Sequence, residues 1–124
     1  MTPDTPKPLA FIIEDDPNLV TIFAKALEMA DFQVEMIRDG GVALRRLAET
    51  VPDVIVLDLH LPTASGVEIF QYIRGDLRLG RTRVILATAD RLTAGDLDPE
   101  VDLVLLKPIS FNQLRDLAMR LKPG

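Results

Sequence analysis

The sequence predicts a doubly wound α/β fold, a parallel sheet of five strands with helices on both faces. Three observations carry this reading. Short apolar runs alternate along the chain with segments whose apolar residues recur at helical spacing. The first and third of these runs are apolar throughout rather than alternating, as in strands buried on both faces. The length of 124 residues suits one domain with a core large enough to need no metal or disulfide staple.

Met1 to Pro8 reads as a leader, with three prolines and one lysine. Leu9 to Ile13 is the first strand, ending abruptly at Glu14, Asp15 and Asp16. Pro17 suits a first helical position, and Leu19, Val20, Phe23, Ala26, Leu27 and Ala30 form the inner face of the first helix. Val34 to Ile37 is the second strand. Gly40 and Gly41 read as a turn, and Ala43, Leu44, Leu47 and Ala48 face inward on the second helix. Val54 to Leu57 is the third strand. Ser65 or Gly66 opens a helix carrying Val67, Phe70 and Ile73, and the chain turns near Gly80. Arg83 to Ala87 and Leu103 to Leu106 are the fourth and fifth strands. Between Asp90 and Asp102, Gly95 and Pro99 interrupt any helical stripe, so the fourth helix is expected to be short or irregular. Ser110 caps the last helix, which presents Leu114, Leu117, Ala118 and Leu121. Right-handed crossovers between five such strands favour the flavodoxin-like order 2-1-3-4-5.

Composition removes several function classes. With no cysteine there is no disulfide, thiol nucleophile or thiolate metal site. His60 is the only histidine, which argues against histidine-rich zinc sites and makes a Ser-His-Asp triad a poor prospect. A net charge of −5 argues against direct nucleic-acid binding. No apolar run reaches membrane-spanning or signal-peptide length, so a cytoplasmic protein with no membrane association is expected.

Open parallel sheets bind ligands outside the carboxyl ends of their strands, where strand order reverses. The polar residues of this chain lie at those ends: Glu14, Asp15 and Asp16 after the first strand, Asp58 after the third, Thr88 after the fourth, Lys107 and Pro108 after the fifth. Carboxylates gathered in one crevice repel one another unless a cation neutralises them. All-oxygen ligation that leaves a place for a phosphate oxygen suits Mg²⁺. Such a site fits phosphoryl transfer, with Lys107 and the Thr88 hydroxyl sharing the neutralisation of charge and an aspartate able to serve as acceptor.

Four motifs in order make the chain resemble the receiver domains of bacterial response regulators, the phospho-accepting modules of two-component signal transduction. They are Glu14-Asp15-Asp16, Asp58 to Pro62 with Ser65-Gly66, Thr88-Ala89, and Lys107-Pro108. The likeness runs from Leu9 to Leu121, within a receiver domain spanning 9–122. It implies that Asp58 is the phosphoacceptor. Asp15 and Asp58 would ligate Mg²⁺ with the main-chain carbonyl of His60, and Glu14 would act through a metal-bound water. Lys107 would pair with Asp58 and then with the phosphoryl oxygens, Thr88 would be the switch hydroxyl, and the Lys107-Pro108 peptide would be cis. It also implies that His60 and Asp90 tune hydrolysis of the aspartyl phosphate. The donor would be a sensor histidine kinase or a phosphotransfer protein, with a homodimer as a further partner. The chain would act as a signalling switch rather than a metabolic enzyme. Val104 stands where the family usually carries an inward-turning aromatic, which puts the usual output face in question. With the sequence ending after the last helix, output through protein contacts rather than an attached domain is expected.

Each motif has a plainer reading alone. Acidic residues cap helices, aspartates and threonines occupy turns, and a Gly-Gly pair or a methionine need mean nothing beyond a bend or a filled gap. The joint occurrence at four strand ends outweighs these. An aspartate-nucleophile phosphohydrolase usually needs a second Asp where His60 stands. A flavodoxin-like cofactor binder lacks its aromatic or Gly-rich loops here. A pseudo-receiver, an interaction module not regulated by phosphorylation, should have lost the acids or the lysine.

Overall fold

In a computed structural model, residues 6–97 and 101–123 are described. Five strands, β1 (Leu9–Ile13), β2 (Gln33–Ile37), β3 (Val54–Leu57), β4 (Arg83–Thr88) and β5 (Leu103–Leu106), form one sheet in the order β2-β1-β3-β4-β5. All four pairings are parallel. The helices are α1 (Pro17–Met29), α2 (Gly40–Glu49), α3 (Gly66–Gly75), α4 (Arg91–Leu97) and α5 (Phe111–Leu121), with a 3₁₀ turn at Leu77–Leu79.

The uniformly apolar strands feed two cores. Ala10, Ile12, Val54 and Val56 point to the face covered by α1 and α5, where Phe23, Leu27, Leu114 and Ala118 pack. Their neighbours Phe11, Ile13, Ile55 and Leu57 point to the other face, under Leu47, Ile69, Phe70 and Ile73. Burying each of these large side chains contributes about 1.5–3 kcal/mol, which is why no polar residue interrupts the central strands.

Register then positions the site. Ile13 pairs with Ile37 on one side and Leu57 on the other. The residues that follow, Glu14 and Asp58, therefore emerge side by side, tied by the bonds from Glu14 N to Ile37 O and from Asp58 N to Ile13 O, both 3.0 Å.

Several local expectations change. Gly40 and Gly41 are not a free turn but the first residues of α2, capped by Asp39. A side chain at Gly40 would collide with the Ala64 carbonyl, so glycine is there to let a loop approach. Ala48 faces solvent, and Met29, Met36 and Met119, expected to fill gaps in the core or at its edge, are exposed. The fourth helix is short, as expected, but regular, and Ala94 is its one buried residue among those described. Pro99 and Met1 to Thr5 of the leader lie outside the described residues.

Candidate functional site

Carboxylate oxygens of Glu14, Asp15 and Asp58 lie within 4.8 Å of one another at the carboxyl ends of β1 and β3. Glu14 and Asp58 are buried, at 2% and 6% exposure, while Asp15 faces solvent. Burial pushes the Glu14 carboxyl above its ordinary range, and the hydrogen bond from Lys107 only partly opposes that. Lys107 enters from the end of β5: its Nζ donates to Glu14 Oε1 at 2.7 Å and stands 3.6 Å from Asp58 Oδ2. The ammonium therefore bridges two acids, with the shorter bond to Glu14 rather than to the expected partner Asp58.

Local structure fixes these groups. Asp16 is turned away from the cluster to cap α1, its Oδ1 accepting from Asn18 N at 2.8 Å and Leu19 N at 3.2 Å. The Leu59 amide donates to Asp58 Oδ1 at 2.8 Å. Behind Asp58 the loop runs against the start of α3, where a methyl at Gly66 would strike the Asp58 carbonyl. Ser65 caps α3 in a capping box with Glu68. The Lys107-Pro108 peptide is cis, as the resemblance implied.

Thr88 is fully buried at the end of β4, its hydroxyl accepting from Asp90 N at 3.1 Å. His60 Nε2 and Asp90 Oδ2 approach to 3.1 Å, joining the loops after β3 and β4. The His60 side chain is 74% exposed. The Asp90 carboxyl is held below its usual range, first by hydrogen bonds from Thr93 and then by His60. Val104 is half-buried on β5 and packs with the α2–α3 core.

Two contacts had no local signal in the sequence. Arg38, at the end of β2, donates through Nε and Nη2 to the Asp15 carbonyl at 3.3 and 3.1 Å. Thr63, with φ 74°, donates to Asp39 Oδ1 at 2.6 Å and clips the loop after β3 to the start of α2. Both join residues more than twenty apart, so only the sheet order could have found them.

The acidic trio fits a hard divalent cation: the donors are all oxygen, two of the three carboxylates are buried, and Lys107 alone cannot balance three negative charges. Among the described residues no helix is long and apolar enough to cross a membrane.

The transcriptional regulatory protein KdpE of Mycobacterium tuberculosis is 31% identical over 109 residues, which cover 85% of this chain and 46% of KdpE. The autoinducer 2 sensor kinase/phosphatase LuxQ of Vibrio vulnificus is 30% identical over 132 residues, 98% of this chain and 15% of LuxQ. This chain thus spans about half or less of these relatives. In fold it matches the receiver domain of the sensor histidine kinase PA1611 from Pseudomonas aeruginosa, solved with magnesium in its active-site cleft. That match has a TM-score of 0.82 and 24% identity over 93% of this chain and 97% of that one. The profile of the response regulator receiver domain matches residues 10–119, and the chain belongs to that family.

Proposed function

We propose that this receiver domain accepts a phosphoryl group on Asp58 in an Mg²⁺-dependent reaction and thereby switches its contacts with other proteins. The observation that carries the reading is the placing of Asp58 between two further carboxylates and the Lys107 ammonium. Asp15, Asp58 and the main-chain carbonyl of His60 would hold the metal, with Glu14 acting through a bound water. When bound, Mg²⁺ would neutralise charge on the transferring group.

An Asp58 carboxylate oxygen attacks the donor phosphorus, forming a P–O bond as the bond to the donor breaks. The donor is a phosphohistidine of a sensor histidine kinase or phosphotransfer protein, or a small acyl phosphate. Lys107, already facing Asp58, follows the new phosphoryl oxygens and gives up its bond to Glu14. The Thr88 hydroxyl, now held by the Asp90 amide, turns to the phosphoryl group and so pulls on the loop leading into α4. His60 and Asp90 flank the path of the hydrolytic water. The turnover is that of a signalling switch, not of a metabolic enzyme, and a second copy of the chain is one output partner.

Incubation with acetyl phosphate and Mg²⁺, followed by intact-mass measurement, tests the reading. One phosphoryl addition is expected, lost in Asp58→Asn and on chelation. No addition from acetyl phosphate or from a kinase would leave an interaction module, and attention would move to the face around Val104.

A further inference from the structure

A cleft of about 720 Å³ opens beneath the amino ends of β3, β4 and β5, at the end of the sheet opposite the acidic crevice. Arg81 and Arg83, at the start of β4, line it together with Arg120 and Lys122, at the end of α5. With Arg74, five of the 14 Lys and Arg side chains of a chain whose net charge is −5 converge here.

The two acids in the cleft do not cancel them. Asp53 accepts the Leu9 amide at 2.8 Å. Asp102 accepts the Val84 amide at 2.7 Å and is shared between Arg74 at 3.3 Å and Arg83 at 3.5 Å. Lys122 reaches Asp31 at 3.6 Å. Among the described residues, Arg81 and Arg120 have no carboxylate partner.

We propose that this cleft binds a small, multiply phosphorylated anion. Guanidinium groups present planar forks of donors that match phosphate oxygens two at a time. The volume lies within the range of small-molecule sites, roughly 300–1,000 Å³. Among the described residues no aromatic side chain lines it, so the ligand is recognised by charge and not by a stacked base. A solvated basic face would spread its cations; here they line one concavity. The site does not depend on the phosphoryl chemistry at Asp58.

The test titrates tripolyphosphate into the full chain by calorimetry, in Mg²⁺-free buffer containing a chelator. Saturable one-to-one binding is expected, at least about tenfold weaker in Arg81→Ser/Arg120→Ser and unchanged in Asp58→Asn. Amide shifts in the wild-type protein should map to Arg81–Arg83 and Arg120–Lys122, which keeps the test valid should the double variant lose stability. Absence of saturable binding, equal affinity in the double variant, or shifts confined to the acidic crevice would overturn the proposal. So would binding of a DNA duplex without binding of tripolyphosphate.

Discussion

His60 and Asp90 lie thirty positions apart, yet one contact of 3.1 Å makes them a pair at the mouth of the crevice. Groups that act through a shared contact do not add when removed singly. If they guide the hydrolytic water together, the rate of aspartyl-phosphate loss in His60→Ala/Asp90→Ala should equal that of either single variant. Rates that multiply instead would mean two separate roles, and unchanged rates would remove both residues from the proposal. That Glu14, Asp15, Asp58 and Lys107 gather in one crevice was legible because an apolar run stops and a charge follows at each of those strand ends. The partner of each was less so. Lys107 was expected to meet Asp58 but bonds more closely to Glu14. The buried acid beside β1 offers the ammonium the nearer oxygen, a matter of a fraction of an ångström that spacing cannot encode.

The starts of α3 and α5 were readable from their serine caps, Ser65 and Ser110. Ser65 with Glu68 satisfies two main-chain donors at the start of α3, next to the loop from Asp58. Ser65→Ala should cost about 1 kcal/mol, seen as a lower urea midpoint with an unchanged slope. Across the sheet, Arg46 of α2 donates to both oxygens of Glu35 on β2, at 2.6 and 2.9 Å. That hydrogen bond holds the Glu35 carboxyl below its ordinary value of 4.5. A depressed acid stabilises the fold at any pH above its unfolded value, and that contribution fades as the pH drops through the folded one. Stability of the wild type should therefore decline more steeply below pH 4.5 than that of Glu35→Gln, by denaturant titration at each pH. Parallel curves would show that the pair contributes nothing. The start of α2 was misread because Gly-Gly is turn chemistry in isolation. Only the Ala64 carbonyl, brought close by tertiary packing, explains why a helix begins there.

For the molecule as a whole, a ligand that binds only the folded state adds to stability through mass action. Mg²⁺ at a hundred times its dissociation constant should add about 2.7 kcal/mol, a gain reversed by chelation and missing in Asp15→Asn. An unchanged melting temperature with and without Mg²⁺ would count against the metal site. The buried strands were legible because β1 and β3 are apolar on every residue, as in a sheet covered on both faces, and their order followed from right-handed crossovers. Exposure was not: Met29, Met36 and Met119 have apolar side chains, but helix and strand geometry turns them outward. The two close glycine contacts also bear on how the protein can be tagged. Gly40 against Ala64 and Gly66 against Asp58 pin the segment after the acceptor at both ends, so its exposed tip at Pro62 and Thr63 has no slack. An inserted residue or bulky reporter there would displace Asp58 itself. Among the described residues nothing lies within 4 Å of a side-chain carbon added at Gly95 on α4, making it the safer anchor for a probe meant to watch the loop beyond Thr88.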